Sequence, residues 1–261
     1  FTPQGFLDTV ERERVTLAPL VPTMWRMVFE EDVAKRDLSS LRMVTIAGEP
    51  PAPSDIASLH ARICPRIASL YLSAEGLTAS GVIAFTEDLL RPGKAASTGR
   101  PAPGVDVRIV DPAGGFDDEL PVGETGEIVV SGPSMAAGYW NDDALTAQRF
   151  RDGWWRSGDL GRVDAEGDLW VVGRIDNVIN TGGIKVSGEE VERALLGNPA
   201  VAQCAVIGVP DERFGRRIEA WIVARGAAPS AEALGAFCRD QAGLAGFKVP
   251  KGFHFVAELP T

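Results

Sequence analysis

Between residues 1 and 92 the chain alternates helical and strand-like stretches, and this order restricts its fold more than any other feature. Residues 15–21, 41–47 and 67–72 are short apolar runs with β-branched side chains, bounded by turn residues, the pattern of buried strands. Between them, residues 23–35 and 54–63 carry apolar side chains at helical spacing, with Pro22 and Pro53 placed for first helical turns. Parallel strands can be joined only through a crossover, so this order predicts a layered α/β arrangement on a largely parallel sheet.

Near residue 92 the texture changes. Proline and glycine become frequent, and strands follow one another without long helices, which predicts a small barrel or twisted sheet. Residues 105–110 and 126–130 alternate as half-buried strands do, and Asp164-Ala165-Glu166-Gly167-Asp168 reads as a turn between two more. From Val178 onward come a glycine-bearing hairpin, a helix beginning near Ser187, strands at 202–207 and 218–224, a helix from about Ser230 and a last strand around Phe253. The expected fold class is α/β in two parts: residues 1–175, with an α/β layer at 1–92 and a small β-barrel-like portion at 93–175, then a small α+β domain at 176–261. No internal repeat is visible, which removes solenoids.

Composition narrows the function classes. Lys and Arg total 26 against 36 Asp and Glu, a net charge of −10, which argues against nucleic acid or acidic membranes as partners. A single bound nucleotide stays open, since it needs only local donors. No apolar run approaches membrane-spanning length, and no basic-then-apolar signal opens the chain. Cys64, Cys204 and Cys238 are widely spaced with no C-x-x-C pair, as expected of reduced thiols in a cytoplasmic protein, and indicate neither disulfides nor zinc. His60 and His254 are the two histidines and read as structural, which leaves no histidine metal centre or ready Ser-His-Asp triad. The start at Phe1 and the abrupt stop after Leu259-Pro260-Thr261 lead to the expectation of a piece of a longer chain.

The block Trp154-Trp155-Arg156-Ser157-Gly158-Asp159-Leu160-Gly161 carries the most chemistry, followed by Gly173-Arg174-Ile175-Asp176-Asn177. Asp159, following a glycine in a tight turn, is a carboxylate able to accept from two neighbouring hydroxyls, as nucleotide riboses present them. Arg174, at a strand end, adds a fixed fork of donors. The same two residues also read as ordinary turn residues paired with each other or with water.

These segments, with Val178-Ile179-Asn180-Thr181-Gly182-Gly183-Ile184-Lys185-Val186-Ser187-Gly188-Glu189-Glu190-Val191-Glu192, Gly123-Glu124-Thr125-Gly126-Glu127-Ile128 and Gly138-Tyr139-Trp140-Asn141, resemble the adenylate-forming acyl-CoA synthetase family. That family includes acyl- and aryl-CoA ligases and the adenylation domains of peptide synthetases. The resemblance covers essentially the whole chain. It implies that residues 1–175 complete a large α/β and β-barrel domain and that 176–261 form most of a small mobile one. It implies an ATP-dependent ligase, set in fatty acid metabolism, that joins a carboxylate to AMP and passes the acyl group to CoA, with Mg²⁺ required.

By the same resemblance, Asp159 and Arg174 hold the AMP ribose, and Asp176 marks the hinge of the small domain. Gly182 and Gly183 border a pantetheine tunnel, a role compatible with a plain hairpin turn. In Tyr71-Leu72-Ser73-Ala74-Glu75 the tyrosine packs on adenine and Glu75 helps hold magnesium at the phosphates. Leu72 stands where the family has glycine and Ala74 where it has threonine, whose hydroxyl would bond the α-phosphate. One lost hydrogen bond is worth on the order of 1–3 kcal/mol, so a weakened site or a narrowed acyl pocket lined by Leu70 and Leu72 is expected, with Ser73 as a substitute donor.

Ala47-Gly48-Glu49-Pro50 resembles the loop over adenine, so Gly48 and Glu49 join the AMP set, and Phe247-Lys248-Val249-Pro250-Lys251 resembles the segment against the CoA adenine, with Lys251 a phosphate contact or a solvated turn lysine. The family's phosphate loop is expected before Phe1 and its catalytic lysine after Thr261, so a chain of this length alone is expected to catalyse little. Two rivals remain: an adenylation domain loading a carrier protein, and a non-catalytic relative that binds adenylates or acyl groups.

Overall fold

The computed structural model describes residues 1–49, 51–77 and 81–259. The chain divides into two compact units, one of Phe1–Ser157 with Gly161–Val171 and one of Gly158–Leu160 with Val172–Thr261. The first unit opens with helix α1 (Pro3–Glu13), capped by Thr2, whose hydroxyl accepts the Gly5 N–H. Strand β1 (Leu17–Leu20), helix α2 (Pro22–Phe29), strand β2 (Met43–Ala47), helix α3 (Pro53–Arg62) and strand β3 (Ile67–Tyr71) follow. β1 runs parallel to β2 and β2 to β3, as the alternating pattern requires. Strands β4 (Val82–Phe85) and β5 (Arg100–Pro101) extend this sheet antiparallel. Trp25, Ile46 and Leu59 are fully buried between helices and sheet, and Trp25 Nε1 donates to Thr45 O at 2.9 Å.

Two local expectations shift. Helix α2 stops at Phe29 instead of running to Lys35, and a 3-10 turn, Val33–Lys35, takes over. Glu30-Glu31-Asp32 places three carboxylates where the helix dipole is negative, and Arg62 Nη2 donates to the Phe29 carbonyl at 2.8 Å. β1 is also less buried than its composition predicts: it lies at the end of the strand order, so Leu17 and Pro19 are exposed and Ala18 alone is buried.

The rest of the first unit is mostly antiparallel. After α4 (Thr86–Leu89) come β6 (Asp106–Val110), β7 (Gly126–Ser131), α5 (Asp143–Arg149), β8 (Phe150–Arg151), β9 (Trp154–Val163) and β10 (Leu169–Arg174). They form a sheet of order β10-β9-β7-β6, with β8 beside β9. The turn between β9 and β10 does more than reverse the chain. Asp168, with no exposed surface, receives Lys94 Nζ at 2.8 Å, Arg91 Nη2 at 2.9 Å and Arg100 Nε at 3.2 Å. Asp164 takes Lys94 Nζ at 2.6 Å and Trp170 Nε1 at 2.8 Å. Burial opposes the charged form of Asp164 and Asp168, but donors from Lys94 and its neighbours outweigh it and hold both carboxyls below their ordinary range. Lys94 is pushed up, chiefly by its hydrogen bonds to Asp164 and Asp168.

The second unit follows its sequence pattern closely. Strands β11 (Val178–Thr181) and β12 (Ile184–Ser187) make a hairpin, and Ser187 caps helix α6 (Gly188–Leu196) by accepting the Glu190 N–H. Strands β13 (Val201–Asp211) and β14 (Gly215–Ala224) pair antiparallel. Helix α7 (Ala231–Asp240), capped by Ser230, leads to β15 (Gly252–Phe255), parallel to β14. Val186, Val191, Leu195, Ile222 and Leu234 form this unit's own core. His254 stacks on Trp221 and meets Glu219 at 2.7 Å, while His60 is exposed. Among the described residues no helix is long and apolar enough to cross a membrane, and the three cysteines are free.

Candidate functional site

Parallel pairing decides where the first set of residues emerges. Ala47 lies opposite Leu70, so Gly48-Glu49 after β2 and Leu72 to Glu75 after β3 leave the sheet at the same edge, beyond the carboxyl ends of neighbouring strands. Open α/β sheets bind ligands there. Glu49 faces Thr23 Oγ1 at 3.4 Å and Arg26 Nη1 at 3.7 Å, and Arg26 also forks onto Asp55 at 3.1 and 2.7 Å. Pro50, Pro260 and Thr261 lie outside the described residues. Tyr71, Leu70 and Leu72 are half-buried, and Tyr71 packs against the apolar cluster containing Val82. Ser73 Oγ accepts the Gly76 N–H at 3.0 Å, which ties down the turn and leaves its own proton to donate.

Glu75 is held from a distance in sequence. Its Oε1 accepts the Tyr139 O–H at 2.8 Å, its carbonyl accepts the Ala136 N–H at 2.7 Å, and Ser134 Oγ donates to the next carbonyl, that of Gly76. Oε2 takes no hydrogen bond among the described residues. Magnesium bound through substrate phosphates needs only one or two protein carboxylates, so Glu75 fits that ion. No group of three or more His, Cys, Asp or Glu placed to hold a metal is found among the described residues.

In the second unit, Arg174 Nη1 donates to Asp159 Oδ1 at 3.0 Å. Asp159 does not sit in a tight turn, as its sequence neighbours predict: it lies inside β9, just after Gly158, which takes φ +75° within the strand. Glycine tolerates this left-handed conformation, so a local kink replaces a chain reversal. Arg174 is the last residue of β10. Asp159 has 17% of its side chain exposed and Arg174 51%. Asp176 is exposed in the 3-10 turn Ile175–Asn177.

The CoA-assigned residues also converge. Gly182 and Gly183, at φ +59° and +83°, make the two-residue turn between β11 and β12, and the Gly182 N–H bonds Phe214 O at 2.8 Å. Gly182, Phe247 and Lys251 line one cavity of about 360 Å³ with Phe214 and Arg217. Phe214 and Arg217 went unremarked in the sequence, as did the bond from Tyr139 to Glu75. Their partners are separated along the chain by intervals that no short motif encodes.

The family model for AMP-binding enzymes matches residues 1–140. The chain belongs to the AMP-binding enzyme family. Its residues 190–261 match the model for the AMP-binding enzyme C-terminal domain. This AMP-binding family member is 41% identical over 265 residues to a feruloyl-CoA synthase of Amycolatopsis sp, a match covering 100% of this chain and 52% of that protein. It is 35% identical over 261 residues to an indoleacetate–CoA ligase of Aromatoleum aromaticum, covering 100% of this chain and 50% of that protein. The solved amide bond synthetase McbA from Marinactinospora thermotolerans superposes with a TM-score of 0.89 at 35% identity, covering 100% of this chain and 52% of that one. The family resemblance and the α/β class therefore hold. The chain spans about half the length of the curated relatives it matches.

Proposed function

We propose that the protein containing this chain is an AMP-forming acid–thiol ligase acting on an aryl or acyl carboxylate. A carboxylate oxygen attacks the α-phosphorus of ATP, giving the acyl adenylate and releasing pyrophosphate. The CoA thiolate then attacks the acyl carbonyl, giving the thioester and releasing AMP. The observation that carries this reading is the Asp159–Arg174 pair at 3.0 Å, in a chain of the AMP-binding family.

In this reading Asp159 accepts from both ribose hydroxyls, and Arg174 orients that carboxylate while adding donors. Tyr71 offers its ring to adenine beside Gly48 and Glu49, and Glu75 faces the phosphates. Magnesium, when bound, offsets phosphate charge and orients the leaving pyrophosphate. The residues themselves position reactants, which is where most of the rate in such a transfer originates. The half-buried Leu70 and Leu72 wall the acyl group. Phe247 supplies an apolar face, and Lys251 and Arg217 supply charge, for CoA; Gly182 and Gly183 leave room for pantetheine, and Asp176 is the hinge. The relatives named for feruloyl and indoleacetate substrates favour an aromatic acid over a fatty acid, and free cysteines support a reducing, cytoplasmic setting.

Likeness to an amide bond synthetase favours one second reading, the same adenylation followed by transfer to an amine. The full-length protein, given ATP and a panel of aromatic and fatty acids, is expected to catalyse pyrophosphate exchange and to form a thioester with CoA. Exchange with product formed only on amines selects the second reading, and no exchange with any acid overturns both. Asp159→Ala is expected to weaken AMP binding by about 10- to 100-fold, the loss of charge-assisted hydrogen bonds, measured by calorimetry.

A further inference from the structure

Glu75 does not stand alone at the sheet edge. Tyr139, 64 residues downstream, reaches it through its hydroxyl at 2.8 Å, and the Trp155 indole N–H meets the same hydroxyl oxygen at 3.2 Å. An indole N–H can only donate. The Tyr139 oxygen must therefore accept from Trp155, which directs its single proton toward Glu75 Oε1. That oxygen is left as an acceptor. The relay is rigid at every link: Trp155 is 4% exposed, the Tyr139 ring meets Phe150 edge-on at 5.3 Å, and the Tyr139 N–H bonds Thr146 Oγ1 at 2.8 Å. The Ala136 N–H and Ser134 hydroxyl clamp the same turn through its carbonyls.

We propose that Tyr139 is a positioning residue for nucleotide binding: oriented by Trp155, its hydroxyl holds the Glu75 carboxylate fixed, with Oε2 left for the cation carried by the phosphates. This rests on the reading that Glu75 serves those phosphates. Tyr139 touches Glu75 and no reacting atom, so its effect travels through that carboxylate.

Calorimetry on the full-length protein separates this role from simple packing, using ATP with excess Mg²⁺ and ATP with EDTA. Tyr139→Phe is expected to weaken binding of the magnesium complex by about tenfold while leaving metal-free ATP and the unfolding midpoint unchanged. In a Glu75→Gln background the same change is expected to have no further effect. Trp155→Phe, which frees the hydroxyl to rotate, is expected to show a smaller loss of the same magnesium-dependent kind. Equal losses with and without magnesium, or additive losses on top of Glu75→Gln, overturn the proposal. If Glu75→Gln leaves magnesium–ATP binding intact, the role assigned to Glu75 fails first and takes this one with it. If Glu75→Gln weakens binding and Tyr139→Phe does not, only the positioning role fails.

Discussion

Ala74 is where a single atom decides the most at the level of residues. It is exposed at the edge where β3 ends, and a threonine there would add one hydroxyl beside Ser73, whose own oxygen is already engaged by the Gly76 N–H. Ala74→Thr in the full-length protein is expected to raise pyrophosphate exchange by up to about tenfold, one added hydrogen bond's worth; an unchanged rate refutes the missing-hydroxyl account. The expectation of a donor at this position comes from the family resemblance, which its sequence neighbours Tyr71 and Glu75 carry. The bond from Tyr139 was not legible in sequence, since only folding carries it to Glu75, and nothing in Gly138-Tyr139-Trp140-Asn141 says which side chain its hydroxyl will meet.

Among the elements, the β11–β12 hairpin puts the glycine pair in a tight turn. Gly182 also lines the cavity beside Phe214. A Cβ on Gly183 would meet nothing within 4 Å, so replacing it tests conformation and not crowding. Gly183→Ala is expected to lower the stability of the second unit by about 1 kcal/mol in chemical denaturation, the cost of a left-handed conformation for a residue with a side chain. Asp159 teaches the reverse lesson. A glycine before an acidic residue suggested a turn, but pairing with the neighbouring strands keeps β9 extended and the glycine absorbs only a kink.

For the whole molecule, the apolar cores within each unit and the ionic cluster around Asp168 shape the response to pH and mutation. Asp164 and Asp168 titrate below their ordinary 3.8 when folded, so their contribution is present above that value and is lost as pH falls beneath it. Lys94 titrates above its ordinary 10.5, so its contribution is complete below that value and is lost as pH rises through its folded value. Stability of the first unit is therefore expected to be flat between these limits and to fall in acid, as thermal unfolding across pH will read. Asp168→Asn removes the buried carboxylate shared by Lys94, Arg91 and Arg100 and is expected to cost about 3 kcal/mol. Calorimetry is expected to show that loss in the transition of the first unit alone. The sequence by itself determined the α/β class, the order of elements, both helix caps of the second unit and the family. Those depend on periodicity, proline and glycine placement, and runs of neighbouring residues, all local quantities. Tertiary structure alone decided that a turn at residues 164–168 is an ionic hub, that Phe214 and Arg217 line the cavity beside Gly182, and that Tyr139 serves Glu75. Each of these joins groups far apart along the chain, and only the packed geometry of sheets and turns brings such groups within hydrogen-bonding reach.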